Sequence, residues 1–199
     1  MKLICMDFEG VLVPEIWIEF AHQTGHEEFC KTTRDEPNYD VLMNWRLERM
    51  RAHNLKLEEI QRTIEGIEPL EGAREFLDEL RSKAQVIIIS DTFTQFAMPL
   101  MKKLGWPTLF CNELIVDNEG FVSGYTMRCK DSKYDSVKAL TQAGFEILAT
   151  GDSFNDLGMF RAANEACFFR TTQALKGAYH QYEAYESYDE LLCFFYKHL

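Results

Sequence analysis

The sequence predicts an α/β core on a parallel sheet, with a helical insertion after the first strand, on three observations. Short apolar runs recur along the chain, among them Leu3–Met6, Val86–Ile89 and Phe145–Thr150, and read as strands buried on both faces. Segments whose apolar residues repeat at helical spacing separate them. At 199 residues the chain has room for one substantial core and a small appendage.

Taken in order, residues 3–6 form a strand ending at Asp7, and Gly10 permits a tight turn directly after it. Pro14 suits the first turn of a helix that aligns Ile16, Trp17, Phe20 and Ala21 and ends near Gly25. From about Glu27 to Pro69 no strand signal appears, only helical periodicity around Val41, Leu42 and Trp45 and around Leu57, Ile60 and Ile64. Residues 14–70 are therefore expected to form an all-helical insertion in a core made of 1–13 and 71–199.

Beyond Pro69 the pattern changes. Ala73, Phe76, Leu77 and Leu80 share a helix face, and the helix feeds a central strand, Val86–Ile89, that ends at Ser90-Asp91. Phe93–Leu104 is expected to be helical, with Gly105 and Pro107 closing it. Leu109–Val116 and Phe121–Met127, joined by Asp117-Asn118-Glu119-Gly120, read as a hairpin decorating the sheet edge. Val137, Leu140 and Ala143 mark a helix closed by Gly144, after which Phe145–Thr150 runs into Gly151-Asp152. Ala166–Phe169 is the last predicted strand and Tyr188–His198 the closing helix.

Composition narrows the function. Hydrophobic residues at 46% and charged residues at 27% exclude a mainly disordered chain. A net charge of −11 repels nucleic acid backbones and anionic membranes, whereas a small phosphate ester remains accessible through a few focused cations or a metal. No apolar run approaches the roughly 18 residues of a membrane span, and Asp7 interrupts the N-terminal apolar stretch too early for a signal-peptide core, so a cytoplasmic protein is expected. Six dispersed cysteines without a Cys-x-x-Cys pair point to reduced, buried thiols. Trp17, Trp45 and Trp106 are assigned to packing, and His22, His26, His53, His180 and His198 show no metal-ligand spacing.

In a parallel α/β sheet the C-terminal strand ends open into one crevice, and here they deliver Asp7, Ser90 and Asp152. Each alone reads as a helix cap. Together they outline a site.

The order Asp7-Phe8-Glu9-Gly10-Val11, Ser90, Lys133 and Gly151-Asp152-Ser153-Phe154-Asn155-Asp156 resembles the four motifs of the haloacid dehalogenase-like phosphohydrolases, across almost the whole chain. The resemblance implies a doubly wound, Rossmann-like parallel sheet, a helical cap inserted between the first two motifs, Mg²⁺ and an aspartyl-phosphate intermediate. Glu15, Arg46 and their surroundings resemble the phosphoserine phosphatase branch. The opening Asp-x-Glu-Gly-Val-Leu-Val-Pro-Glu and the later Ser-Asp-Thr-Phe are similar to the bifunctional type that also transfers phosphate to homoserine.

The roles implied are specific. Asp7 is the nucleophile, and a carboxylate attacks phosphorus only once the repulsion between two anions is neutralised. Mg²⁺ on Asp7, Asp152 and the Glu9 backbone carbonyl would do so, with Asp156 as a supporting partner or weaker ligand. Lys133, or its neighbour Lys130, would face the transferring phosphoryl, together with the Ser90 hydroxyl and nearby N–H groups. Glu9 replaces the more common aspartate as the acid that protonates the leaving oxygen and later activates the acceptor. Glu15 would meet the ammonium and Arg46 the carboxylate of O-phosphoserine, and Asp91 and Asn155 complete the substrate-binding set, with a helix cap as the other reading of Asn155. Two alternatives share these residues: turnover of another small phosphate ester, and a catalytically silent sensor of a phosphorylated ligand.

Overall fold

The computed structural model describes residues 1–33, 35, 36 and 38–199. Strand β1 (Lys2–Met6) alternates its side chains between two separate cores, Ile4 and Met6 on one face and Leu3 and Cys5 on the other. Three helices follow, α1 (Ile16–Thr24), α2 (Tyr39–Ala52) and α3 (Leu57–Glu65), with a single 3₁₀ turn at Glu27–Cys30. Then come α4 (Ala73–Lys83), β2 (Gln85–Phe93), α5 (Thr94–Lys103), β3 (Thr108–Val116) and β4 (Val122–Thr126). The chain continues through α6 (Ser132–Gln142), β5 (Glu146–Gly151), α7 (Leu157–Ala162), β6 (Glu165–Phe169), α8 (Gln173–Ala178), β7 (Glu183–Tyr185) and α9 (Tyr188–His198).

Among the described residues seven strands form one sheet in the order β4-β3-β2-β1-β5-β6-β7, parallel throughout except for the β3–β4 pair. Strand β1 lies between β2 and β5, so Met6 pairs with Ile88 on one side and with Thr150 on the other. This register sets Asp7 beside the loop that carries Asp152. Helices cover both faces: α4 and α9 pack Phe76, Leu80, Leu191 and Phe195 against one, and α6 and α7 pack Val137, Leu157 and Phe160 against the other. The sheet is doubly wound, as the resemblance implies.

Several elements depart from the sequence reading. Pro14 lies outside α1, which starts at Ile16 with Glu15 at its N-cap. Strand β2 runs past Ser90-Asp91 to Phe93, with a register shift between Ile89 and Phe93 that re-aims those two residues. The β3–β4 hairpin is only half a decoration: Thr108–Phe110 pair in parallel with β2, and β4 alone forms the edge. The buried face of α2 is Leu42, Met43, Arg46 and Met50, not the Val41 side, and Val41 is exposed. Trp106 is 56% exposed, so it is no packing residue, and burial holds for only two of the six free thiols, Cys5 and Cys167. Helix α8 and strand β7 are short and bury no residue fully, which leaves them without a periodic signal. Among the described residues no helix is long and apolar enough to cross a membrane.

Candidate active site

The centre of the crevice is Asp7, 5% exposed at the end of β1. Its backbone N–H donates to the Thr150 carbonyl at 3.1 Å, which extends the β1–β5 ladder by one residue, and its own Oδ1 accepts from Phe8 N–H at 2.7 Å. Its Oδ2 lies 2.8 Å from Lys133 Nζ, and the same ammonium reaches Asp156 Oδ1 at 2.6 Å. Lys133 comes from the first turn of α6, where Asp131 accepts from Tyr134 N–H as N-cap, and it is 2% exposed. Lys130 is solvent-exposed, one turn outside. A buried ammonium is tolerable only when paired, and two carboxylates pair this one.

Oxygens of Asp7, Asp152 and Asp156 all lie within 4.8 Å of one another. Three carboxylates against one ammonium leave the cluster electron-rich. Burial pushes the Asp7 carboxyl well above its ordinary range despite Lys133, and burial with the Asp156 charge pushes Asp152 up to about 7. A divalent cation complements this hard-oxygen donor set. Asp156 is the most constrained of the three, since its Oδ2 also accepts from Asp152 N–H at 2.9 Å and Ser153 N–H at 3.0 Å. Its bonds fix the loop more than they free an oxygen for a metal. Two glycines make the room: a Cβ on Gly151 would stand 2.1 Å from Asp156 Cγ, and one on Gly10 would stand 2.4 Å from Asp152 Cγ.

Gly10 also has φ +76°, a region that a side chain strains by roughly 1–2 kcal/mol. Gly10→Ala is thus expected to displace Asp152 and raise the Mg²⁺ concentration needed for half-maximal activity at least about tenfold. A magnesium titration of the variant measures this directly.

The Glu9 carboxylate lies apart from the acidic trio. Its Oε2 accepts from Ile16 N–H at 2.9 Å, at the open start of α1, so the side chain faces the helical segment. Burial, reinforced by Glu15, pushes its pKa up to about 8. The protonated form therefore predominates at neutral pH. Arg46 enters the same region from α2, stacked 4.3 Å over Trp17 and donating Nη2 to the Lys31 carbonyl at 2.8 Å. Its Nε is buried without a protein partner among the described residues. Burial lowers its pKa to about 10, which still leaves it charged. Glu15 is exposed, and its side chain makes no capping bond.

Ser90 is buried, with its Oγ accepting from Thr92 N–H at 3.2 Å. The Asp91 carboxylate is engaged by protein: Oδ1 accepts from Ser132 Oγ at 2.6 Å and Oδ2 from Asn155 Nδ2 at 3.2 Å. Asp91 thus ties β2 to α6 and to the loop after β5, and Asn155 belongs to that tie. Sequence reasoning missed Asn112 of β3, 1% exposed, which donates Nδ2 to the Asp91 carbonyl at 3.0 Å and accepts from Arg128 N–H at 3.0 Å. An amide inside an apolar strand was its only signal. Tyr39, whose hydroxyl also reaches the Asp91 carbonyl at 3.4 Å, was hidden beside the apolar stripe of α2.

A doubly wound sheet that collects an aspartate, a lysine and two further aspartates at one edge defines a phosphotransfer fold, and the chain belongs to the haloacid dehalogenase-like hydrolases, matched over residues 1–164. More narrowly, it is 46% identical over 191 residues to phosphoserine phosphatase ThrH of Pseudomonas aeruginosa, which covers 96% of this chain and 93% of that one. It is 47% identical to a phosphoserine phosphatase of Pseudomonas syringae, over 96% of this chain and 81% of the relative. Among solved structures it resembles a phosphoserine phosphatase in apo form, 26% identical, with a TM-score of 0.75 over 92% of each chain. A substrate-bound phosphoserine phosphatase complex, at 24% identity and a TM-score of 0.77 over 97% of both chains, shares the fold.

Proposed function

We propose that this protein is a Mg²⁺-dependent phosphoserine phosphatase that works through a phosphoryl group carried on Asp7, with homoserine as a second acceptor. The observation that carries the reading is the buried pairing of Asp7 with Lys133, together with a Glu9 carboxyl turned toward the start of α1 and an Arg46 whose Nε lacks a protein partner among the described residues. Residues 14–70 act as a cap that supplies substrate recognition to the core of 1–13 and 71–199.

When bound, Mg²⁺ on Asp7, Asp152 and the Glu9 backbone carbonyl supplies the positive charge that lets one anion approach another. The Asp7 carboxylate attacks phosphorus, the bond from phosphorus to the serine oxygen breaks, and Glu9 gives its proton to that oxygen. Lys133 and Ser90 hold the non-bridging oxygens as charge shifts onto them. Glu9, now a carboxylate, takes a proton from the acceptor hydroxyl, which attacks phosphorus as the bond to Asp7 breaks. Asp7 is restored, and the product is inorganic phosphate from water or a phosphate ester from an alcohol.

Arg46 meets the substrate carboxylate, and Glu15, free at the mouth, meets the ammonium. Stacking on Trp17 and the bond to the Lys31 carbonyl restrict the guanidinium, which supports this role by lowering the ordering cost of binding. Arg46→Lys keeps the charge but loses the planar fork. Its kcat/KM for phosphoserine is expected to fall about 10–100-fold more than for a phosphate ester without a carboxylate, in line with the worth of one charged hydrogen bond. Parallel kinetics on the two substrates read the difference, and equal losses on both would contradict this role.

The choice of acceptor tests the reading as a whole. With homoserine present, phosphoryl groups are expected to appear on homoserine at the expense of inorganic phosphate. Glu9→Asp, which withdraws the base by one methylene, is expected to shift that ratio while cleavage of phosphoserine remains measurable. A wild-type protein that forms no phosphohomoserine would reduce the reading to a phosphatase, and one that prefers other phosphate esters would remove phosphoserine from it.

A further inference from the structure

The helical segment holds a second group of metal-ligating side chains that the phosphotransfer chemistry does not use. His26 precedes the 3₁₀ turn Glu27–Cys30, Glu28 lies within it, and His53 caps the C-terminal end of α2. Far apart in sequence, the three place one ring nitrogen each and a carboxylate oxygen within 4.8 Å of one another. The imidazoles of His26 and His53 are 4.1 Å apart between centroids, and His53 Nε2 sits 2.6 Å from Glu28 Oε1.

We propose that His26, Glu28 and His53 form a binding site for a divalent transition cation of the zinc class, separate from the acidic cluster around Asp7. Two imidazoles and one carboxylate are the donor set that such ions prefer over Mg²⁺, and three protein ligands leave a fourth position for water. The backbone fixes the ligands in place. His53 N–H donates to the Arg49 carbonyl at 3.0 Å, and Asn54 follows in the left-handed region at φ 56°, so the helix end is locked. Phe29, fully buried, floors the site beneath both rings, at 6.2 Å from His26 and 6.4 Å from His53. The cation displaces to solvent any proton held between His53 Nε2 and Glu28, and those two ligand atoms part from 2.6 Å to about 3.4 Å, the edge of a tetrahedron with 2.1 Å bonds.

The position gives the site a consequence. Lys31, whose carbonyl accepts from Arg46, is the C-cap of the Glu27–Cys30 turn, and Arg46 lies on the helix that His53 ends. A cation here staples the two segments that hold Arg46.

The test is a titration of the full chain, saturated with Mg²⁺, with Zn²⁺ or Co²⁺, followed by the ring resonances of its five histidines. One equivalent is expected to move the signals of His26 and His53 and to leave those of His22, His180 and His198 in place. His53→Ala and His26→Ala are each expected to weaken the cation at least about 100-fold, more than loss of an outer partner costs. Unchanged phosphoserine turnover in Mg²⁺ alone would show that these surface variants are folded. The proposal fails if no histidine signal moves, if both variants bind as tightly as the wild type, or if His22 alone responds, which would place the cation on His22, Glu27 and Cys30 instead.

Discussion

Asp7→Asn is expected to abolish phosphoserine turnover, by about 10⁴-fold or more, while the metal-free fold becomes no less stable. The amide keeps the shape of the side chain but cannot attack phosphorus. It also removes one of three carboxylates that face a single ammonium, a cluster in which burial already holds Asp7 far above its ordinary range. Relief of that repulsion offsets the lost Lys133 contact. Mg²⁺ should raise the melting temperature of the wild type and raise that of the variant much less, because one anionic ligand has gone. Steady-state kinetics on highly purified variant and melting with and without Mg²⁺ check both halves. Turnover within tenfold of wild type would remove Asp7 from the chemistry.

Lys133→Met is expected to do the opposite to the fold. It fills the space with an apolar chain and leaves Asp7 and Asp156 facing each other in a dry site without their counter-charge. Stripping one partner from a buried charge cluster costs about 3–5 kcal/mol. The Asp7 carboxyl, held above its unfolded value near 3.8, incurs this penalty only once ionised, so the deficit should be small in acid and grow as pH rises above that value. Denaturant unfolding of chelator-treated protein at several pH values measures it. Catalysis should fall together with stability, since the same ammonium faces the phosphoryl group. A deficit that shrinks as pH rises would contradict the pairing.

The core of the fold was legible because β1, β2 and β5 are buried on both faces and must be apolar. The acids that end them stand out against that background. What sequence could not display is how neighbouring strands share partners. Leu109–Val116 looks like half of a hairpin whether or not its first half joins the main sheet, and only the pairing of Thr108–Phe110 with β2 decides it. Asp91 illustrates the same limit within the site. Its place after a buried strand marks it as functional, yet its carboxylate is occupied by Ser132 and Asn155, which arrive from distant elements. Arg46 looked like one of several surface arginines on a charged helix, and its burial against Trp17 depends on how α1 and α2 pack. The choice between Lys130 and Lys133 depended on where the helix begins: Lys130 falls in the exposed turn before the Asp131 cap, whereas Lys133 falls inside the first turn, against Asp7.

The most direct test of the account is to trap the covalent phosphoryl group. The protein is mixed with phosphoserine and Mg²⁺, quenched in acid within a turnover, digested and mapped by mass spectrometry. One phosphoryl is expected on the peptide that begins the chain, located on Asp7, decaying at later quench times once phosphoserine is exhausted, sooner with homoserine present, and absent from Asp7→Asn. Phosphate on any other residue, or rapid turnover with no covalent phosphoryl at any quench time, would contradict it.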